Sequence, residues 1–318
     1  MDGAALGVGT DVAGSVRVPA ALCGVYALKP TAGRVSVVGA VDPTPGYEGI
    51  TSVAGPLGRS IDDLELFARL TFGIVGRSTT VAPVPFREQK LHEKLRFGYY
   101  LARRAALSTV EALRKAGHEC VEIDIPTPNE AFKIWAALSS ADGYATLLES
   151  KGSDPIETAL LPISSIPGRP WFVRRLLSWM VGSLFKDPQL ADMMSVNGRK
   201  SVQELYQWTA KRNQYMAQFD REIWAEHHLD GIIAPMTAVP QFPHGSFQTI
   251  FQIVSATCLY NLLNLPAGVL PITRIDPSLD ASTSNASSPS LEYKSTVEKA
   301  LYAPRRHHLS PDGNRGTP

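Results

Sequence analysis

Hydrophobic and polar positions divide the N-terminal part of the chain into a loop-rich stretch and a helix. Residues 7–59 are rich in Gly, Val, Ala and Pro and show little helical period. The next segment, SIDDLELFARL, begins with Ser60, which is suited to cap a helix, and it places Leu64, Phe67 and Ala68 on one helical face. The pattern therefore predicts loops and short strands followed by one amphipathic helix.

A strand, a helix and a second strand are predicted after it. The run LRFGYY at 95–100 has the composition of a strand, and VEALRKAG has that of a helix ending at Gly117. Val121, Ile123 and Ile125 then alternate with polar residues, as in a half-buried strand. A βαβ unit of this kind is typical of α/β proteins. We therefore predict the α/β class with a parallel or mixed β-sheet.

The C-terminal part changes from ordered to low-complexity sequence. Residues 201–229 are polar and helix-forming, and they lead into a buried strand, 232–234, that ends at Pro235. From 275 to 318 the chain is rich in Ser and Pro and has few apolar residues. Such a composition does not bury a core, so we predict one ordered domain over 1–274 and a largely disordered tail.

The composition narrows the classes of partner. The 318 residues are 44% hydrophobic and 19% charged, so the chain is long and apolar enough to bury a substantial core. Lys and Arg together number 31 and Asp and Glu 30, which leaves no basic surplus for nucleic acid. We therefore expect no nucleic-acid partner, while a homodimer stays open.

The cysteines and the first residues bear on where the protein resides. Cys23, Cys120 and Cys258 are far apart and have no CxxC spacing, which is typical of free thiols in a reducing compartment. The segment MDGAALGVGT lacks the basic and apolar regions of a signal peptide, and no window reaches about 18 consecutive apolar residues. These features predict a cytoplasmic protein.

The histidines do not suggest a metal site. His227 and His228 are neighbours, but adjacent residues on a helix point in different directions. No carboxylate cluster with ligand spacing accompanies them. We expect neither a metal nor an organic cofactor.

Candidate chemistry is concentrated in the segment GVGTDVAGSVRVPA, residues 7–20. It is not a dinucleotide-binding GxGxxG loop, because the third glycine would fall at Val12 and no strand precedes it. Nor is it a GxSxG nucleophile elbow, because the residues two before and two after Ser15 are Ala13 and Arg17. The sequence also lacks a phosphate-binding GxxxxGK[ST] loop.

What this segment does offer is a hydroxyl preceded by residues with little side chain. Ala13 and Gly14 come directly before Ser15, so consecutive backbone N–H groups can turn toward one point, as in an oxyanion hole. Asp11 and Arg17 flank the run and are suited to clamp it by a charge-assisted hydrogen bond. On the residues alone, a plain structural turn is the alternative, and it stays open.

A longer comparison of motifs points to a family. TDVAGSVRVPAALCGVYALKPTAGRVS, residues 10–36, resembles the signature of the amidase signature family, which runs G-[ST]-D-x-[GA]-G-S-[IV]-R-x-P and then G-L-K-P-T-x-G-R. GPLGRSIDDLELF, residues 55–67, resembles the helix that follows it in the family. PVPFRE, LRFGYY, GIIAPM and LYNLLNLPAGVLPITR resemble the eukaryotic fatty acid amide hydrolase branch in particular. The similarity covers about residues 5–274.

The resemblance implies the amidase-signature fold, with a mixed central β-sheet flanked by helices. It also implies a serine hydrolase that cleaves carboxylic amides, here fatty acyl amides, without a cofactor. Ser15 would be the nucleophile that forms an acyl-enzyme. Asp11 and Arg17 would fix the loop. The oxyanion donors would be four consecutive backbone N–H groups, those of Val12, Ala13, Gly14 and Ser15.

Two further members of the family's catalytic unit lie upstream of the nucleophile, a general-base lysine and a relay serine within a G-S-S-G-G-E type loop. Neither has a counterpart before Ser15, and Lys29 in the ALKPT stretch is not the matching lysine. We therefore expect a chain shortened at both ends and internally, with an incomplete fold. The alternative to an active amidase is an inactive amidase-like protein that only binds a lipid amide or a protein partner.

The segment PGRPWFVRRLLSWMVGSLFKDP, residues 167–188, combines bulky apolar residues with cations. This composition suits a helix lying in a lipid interface, although a core helix with a basic rim is the alternative. The resemblance supports the helix in a lipid interface, because the similar stretch of fatty acid amide hydrolase forms a membrane-docking cap. We therefore expect a peripheral membrane contact. Its membrane-facing candidates are Trp171, Phe172, Arg174, Arg175 and Trp179.

Overall fold

The structure is a computed structural model that describes residues 3–76, 78, 80–100, 104–156, 165–184, 187–237, 254–274 and 276. The tail predicted at 275–318 lies outside these residues, apart from Asp276, so its disorder stays a prediction.

Four strands form an antiparallel sheet that carries the motif segment. In spatial order they are β1 (Leu6–Asp11), β3 (Val53–Gly58), β2 (Tyr26–Lys29) and β7 (Ala267–Val269). β1 runs antiparallel to β3 and ends at Asp11, which pairs with Val53. Gly55 allows β2 and β3 to come close, because an added Cβ would lie 2.0 Å from the Leu28 carbonyl oxygen. The sheet therefore places the carboxylate of Asp11 at the end of its first strand.

Three strands form a second, parallel sheet. In spatial order they are β5 (Glu119–Glu122), β4 (Arg96–Tyr99) and β6 (Gly231–Ile233). β4, α3 (Arg104–Lys115) and β5 form the βαβ unit that the sequence predicts. The α/β class is therefore confirmed, with the strands of the described residues divided between an antiparallel and a parallel sheet.

The second strand of the βαβ unit is shorter than its apolar alternation indicates. β5 ends at Glu122, although the Ile123 N–H still donates to the Tyr99 carbonyl at 3.0 Å. Ile125 is followed by Pro126, which has no N–H to extend the ladder. The chain therefore leaves the sheet before the alternation ends.

The other helices lie between and around these strands in chain order. They are α1 (Arg17–Cys23), α2 (Ile61–Thr71), α4 (Pro128–Ser139), α5 (Ala145–Ser150), α6 (Trp171–Leu184), α7 (Pro188–Val196), α8 (Val202–Phe219) and α9 (Ser255–Leu262). α8 continues into a π-helical turn at Asp220–Ala225. Within the described residues, no helix combines the length and apolar character needed to cross a membrane.

Two of the predicted helices begin at capping boxes. The Ser60 side chain accepts the Asp63 N–H, and the Asp63 carboxylate accepts the Ser60 N–H at 2.9 Å. Ser201 and Glu204 make the same reciprocal pair at the start of α8. Each box satisfies two N–H groups that the first helical turn leaves without partners, so both predicted starts are confirmed.

The main hydrophobic core lies between α4, α8 and α9. Its fully buried side chains include Ile134, Leu138, Phe219 and Leu262. The residues that follow β1 pack against this core, while a second cluster beneath α1 joins it to the antiparallel sheet. The motif segment is therefore held between the sheet on one side and the helical core on the other.

Candidate active site

Ser15 lies on the turn between β1 and α1, and its side chain is exposed while Gly14 and Val16 on either side are buried. The turn depends on Gly14, whose φ is +129°. A Cβ at this position would also lie 2.4 Å from the Thr257 Oγ1. Glycine is needed here for both reasons, since no other residue fits the conformation and the space. The backbone thus presents the hydroxyl of Ser15 outward from a tightly packed turn.

A buried ion pair spans the base of this turn. The Arg17 Nε donates to the Asp11 Oδ2 at 2.9 Å, and one terminal nitrogen donates to Oδ1 at 3.0 Å. Both residues have an exposed fraction of 0%. The two side chains that the sequence analysis assigns to fixing the loop are therefore joined by a bidentate, charge-assisted pair.

The Asp11 carboxylate also accepts hydrogen bonds from the loop itself. The Gly14 N–H donates to Oδ1 at 2.8 Å, and the Val16 N–H donates to Oδ2 at 3.3 Å. Because the Gly14 N–H is already used, it is not available to an oxyanion as the loop stands. The N–H groups of the other three predicted donors, Val12, Ala13 and Ser15, have no acceptor among the described residues.

Asp11 is ionised in this setting. Burial by itself raises the pKa of the carboxyl, but the hydrogen bonds and positive charge of Arg17 outweigh that effect. Hydrogen bonds from Asn261 and the Gly14 N–H act in the same direction as Arg17. The pKa of Asp11 is therefore held below its usual value, and the carboxylate remains an acceptor at neutral pH.

Helix α9 contributes two polar residues to the same network. The terminal nitrogen of Arg17 also donates to the Thr257 carbonyl at 3.1 Å and to the Asn261 Oδ1 at 2.5 Å. The Asn261 Nδ2 donates to the Asp11 Oδ1 at 3.0 Å. In the sequence, Asn261 is simply a polar residue within the apolar run LYNLLNLP. No local pattern indicates its partners, which lie about 250 residues away.

Three successive peptide groups leading to Ser15 are held by their carbonyl oxygens. The Val12, Ala13 and Gly14 carbonyls accept from the Trp135 Nε1 at 3.3 Å, the Thr257 Oγ1 and the Val18 N–H at 2.7 Å, respectively. In a trans peptide the C=O and N–H bonds point in opposite directions. The N–H groups of Ala13 and Ser15 are therefore directed away from these inner contacts.

Comparison with known proteins identifies the family. A sequence model described as "Amidase" matches residues 1–290. The chain belongs to the Amidase family. It is 31% identical over 290 residues to "Fatty-acid amide hydrolase 1" of Sus scrofa, covering 86% of this chain and 49% of that protein. It is 28% identical over 292 residues to "Fatty acid amide hydrolase 1" of Caenorhabditis elegans, covering 87% of this chain and 50% of that protein.

Solved structures agree with this assignment. A structure of "Fatty acid amide hydrolase" superposes with a TM-score of 0.69 at 26% identity, over 93% of this chain and 49% of that one. A structure of 6-aminohexanoate cyclic dimer hydrolase, at 19% identity and a TM-score of 0.58, shares the fold. The predicted family resemblance is confirmed. The chain spans about half the length of the curated relatives it matches.

Lys29 is a buried lysine on β2 of this amidase-family chain. Its exposed fraction is 1%, and its Nζ donates to the Pro30 carbonyl at 3.1 Å. Burial is the main cause that lowers the pKa of Lys29; the charge of Arg17 acts in the same direction, that of Asp11 opposes both, and the resulting pKa is about 8. The hydrogen bond of Lys29 is to Pro30 and not to Ser15, so the geometry assigns it no part in proton transfer.

The amidase-family chain exposes most of the membrane-facing candidates on α6. Trp171, Phe172 and Trp179 have exposed fractions of 67%, 60% and 60%, and Arg175 is exposed beside them. Arg174 lies elsewhere, because its guanidinium turns inward and donates to the Asn197 carbonyl. The exposed surface of α6 is therefore mainly apolar, and Arg174 is not part of it.

A metal site requires several ligand side chains that lie close together. Over the residues that the structure describes, no three His, Cys, Asp or Glu side chains are grouped closely enough to hold a metal ion. The polar groups around Ser15 are an ion pair, amides and hydroxyls, which are suited to holding a backbone turn.

Proposed function

We propose that Ser15 is the nucleophile of an amide hydrolase. Its Oγ attacks the amide carbonyl carbon, the C–N bond breaks and the protonated amine departs, which leaves an acyl ester on Ser15. Water then attacks that ester and releases the carboxylic acid. The observation that carries the proposal is the exposed Ser15 on a turn whose preceding carbonyls are all held from inside.

The N–H groups near Ser15 that have no acceptor among the described residues supply the electrostatic part of this reaction. As the substrate carbonyl becomes tetrahedral, its oxygen gains charge, and preorganised N–H donors stabilise that charge. The N–H groups of Val12, Ala13 and Ser15 are assigned this role, and that of Gly14 stays with Asp11. Removing one such donor in a serine hydrolase slows the reaction by about a hundredfold or more. Asp11 and Arg17 contribute by fixing the turn.

The reaction also requires a base for the Ser15 proton. Among the described residues, no side chain is hydrogen-bonded to the Ser15 Oγ. The relatives named as fatty acid amide hydrolases favour the hydrolase over an inactive amide-binding protein. Activation of Ser15 in this chain is therefore the property that an experiment must establish.

The proposed substrates are amides of long-chain fatty acids. This choice draws on the printed names of the two relatives and on the apolar surface that α6 exposes. Such a surface is suited to lie in the lipid interface from which an apolar substrate would enter. We therefore assign α6 a peripheral membrane contact through Trp171, Phe172, Arg175 and Trp179.

Hydrolysis assays test the reaction and the substrate together. Acid release is measured from a long-chain primary fatty acid amide and from acetamide, with wild type, Ser15→Ala and Ser36→Ala. Ser36 is an exposed serine of the same segment and serves as the matched control. We expect wild type and Ser36→Ala to release acid from the long-chain amide, and Ser15→Ala to release none. Equal release by wild type and Ser15→Ala would contradict the proposal.

A further inference from the structure

The buried network beneath Ser15 extends into helix α9, and we propose that Thr257 and Asn261 are positioning residues for the nucleophile. The inference rests on the proposed function of Ser15. In the described residues neither side chain is hydrogen-bonded to Ser15, but each is hydrogen-bonded to residues that shape its turn. Both are buried, with exposed fractions of 2% and 6%.

Thr257 sets the orientation of the peptide group between Ala13 and Gly14. Its Oγ1 lies within hydrogen-bond distance of the Ala13 carbonyl, at one end of that group. At the other end, the Gly14 N–H donates to Asp11. A planar peptide held at both ends cannot rotate, so the next peptide, which carries the Ser15 N–H, starts from a fixed direction.

The Thr257 side chain also limits where the turn can lie. It occupies the space beside the Gly14 Cα, where an added Cβ would come within 2.9 Å of the Thr257 Cβ. The same hydroxyl lies 2.9 Å from the carbonyl of Val254, the residue directly before α9. A hydroxyl has one hydrogen to donate, so these two carbonyls share one donor. The turn is thereby packed and hydrogen-bonded against the same side chain.

Asn261 holds both members of the buried ion pair. Its Nδ2 donates to the Asp11 Oδ1 at 3.0 Å and to the Asp11 backbone carbonyl at 3.3 Å, while its Oδ1 accepts from Arg17. A neutral amide is suited to this place because it offers a donor to the carboxylate and an acceptor to the guanidinium at once. Both charges therefore keep polar partners without water.

Helix α9 connects this network to the main core. Cys258, Leu259 and Leu262 of the same helix are buried in the cluster that α4 and α8 complete. A catalytic group on a loop works best when the supporting side chains are fixed by packing. Losing the polar contacts of α9 should therefore disturb the reaction of Ser15 more than the binding of a substrate.

The first experiment measures how fast a fluorophosphonate probe modifies Ser15 in the full chain. The maximal rate of modification and the half-saturating probe concentration are determined for wild type, Thr257→Val, Thr257→Ser and Asn261→Leu. Thr209→Val is the control, because Thr209 is a half-buried helical threonine whose Oγ1 donates to the Leu205 carbonyl at 2.9 Å.

We expect the maximal rate to fall by about tenfold or more in Thr257→Val and Asn261→Leu, because each loses a buried hydrogen bond that orients the turn. The half-saturating concentration should change much less. Thr257→Ser keeps the hydroxyl and should recover most of the rate, and Thr209→Val should match wild type. Unchanged maximal rates in both Thr257→Val and Asn261→Leu would overturn the proposal.

A second readout does not depend on the chemistry of Ser15. Amide hydrogen exchange is followed in peptides that cover residues 11–18 in the same variants. Faster exchange in Thr257→Val than in Thr257→Ser and Thr209→Val supports positioning, and equal exchange in all three overturns it. If wild type is not modified by the probe, the proposed function of Ser15 fails while exchange still decides the role of α9. Thr257→Val, which removes one hydroxyl, provides the test if Asn261→Leu does not fold.

Discussion

Arg17 contacts both carboxylate oxygens of Asp11, at 2.9 and 3.0 Å, and neither residue is exposed. The pair joins the last residue of β1 to the first residue of α1, so it closes the turn that presents Ser15. Because the Gly14 and Val16 N–H groups donate to the same carboxylate, the backbone of the turn depends on this charge.

Replacing Arg17 should strongly destabilise the fold. Arg17→Met leaves the Asp11 carboxylate buried without its cation, and breaking a buried pair in this way costs about 3–5 kcal/mol. Arg69→Met is the control, because the ion pairs of Arg69 with Glu65 and Glu88 are exposed, so water screens their charges and their loss should cost much less. Urea unfolding of both variants gives the two values. Equal losses would contradict the account of Asp11 and Arg17.

Gly14→Ala should disturb the turn in two ways. The φ of +129° is unfavourable for any residue with a side chain, and the new Cβ would lie 2.4 Å from the Thr257 Oγ1. We expect a loss of at least about 2 kcal/mol in the free energy of unfolding.

Gly24→Ala is the matched control for that variant. Gly24 caps α1 at a φ of +67°, and a Cβ there would meet nothing within 4 Å. Its loss should be only about 1 kcal/mol, since conformation alone changes. Similar unfolding free energies for the two alanine variants would show that Thr257 does not restrict the turn.

Lys29 should make stability depend on pH in the alkaline range. Its pKa is about 8 in the folded protein and 10.5 ordinarily, so the unfolded chain binds more protons between these values. The destabilisation from burying the charge is full below about pH 8 and is lost as the pH rises to about 10.5. Stability associated with Lys29 therefore increases across this window.

A comparison of wild type with Lys29→Met isolates this contribution from other titrating groups. The variant carries no charge at this position, so burial of a charge does not destabilise it. The unfolding free energy of Lys29→Met relative to wild type should therefore fall by about 3 kcal/mol between neutral pH and the upper end of the window. Chemical unfolding at several pH values measures the difference. A difference that stays constant with pH would contradict the assignment of a charged, buried lysine.

The apolar surface of α6 should bind lipid vesicles. Trp171→Asp/Trp179→Asp replaces two exposed rings by charges, and we expect the fraction that floats with vesicles to fall by about tenfold. Leu66→Asp/Leu70→Asp changes two exposed leucines on α2 and should float like wild type. If both double variants float equally well, α6 does not carry the membrane contact.

Much of the fold follows from local sequence signals. Ser60 starts a helix where side-chain capping predicts one, and the βαβ unit around β4 and β5 follows from its alternation. The alternation does not predict where β5 ends, because strand pairing stops as the chain approaches Pro126. These features depend on residues that are close in sequence.

The candidate site was predictable only in part, because only some of its residues are close in sequence. Asp11, Gly14, Ser15 and Arg17 fall within one short motif, and the structure brings them together. Asn261 joins them through contacts across about 250 residues, which no spacing reveals. The orientation of the Arg174 side chain likewise depends on its hydrogen bond to the Asn197 carbonyl at the end of α7. The amphipathic pattern of its own helix does not indicate it.

Modification of Ser15 by a fluorophosphonate probe, located by tandem mass spectrometry, tests the central claim most directly. If Ser15 is activated by its folded turn, the probe should modify it in the folded wild type and leave it unmodified after heat unfolding. Ser15→Ala should give no adduct at position 15. The account predicts an adduct on Ser15 that depends on the folded state. A folded wild type without an adduct on Ser15 would contradict it.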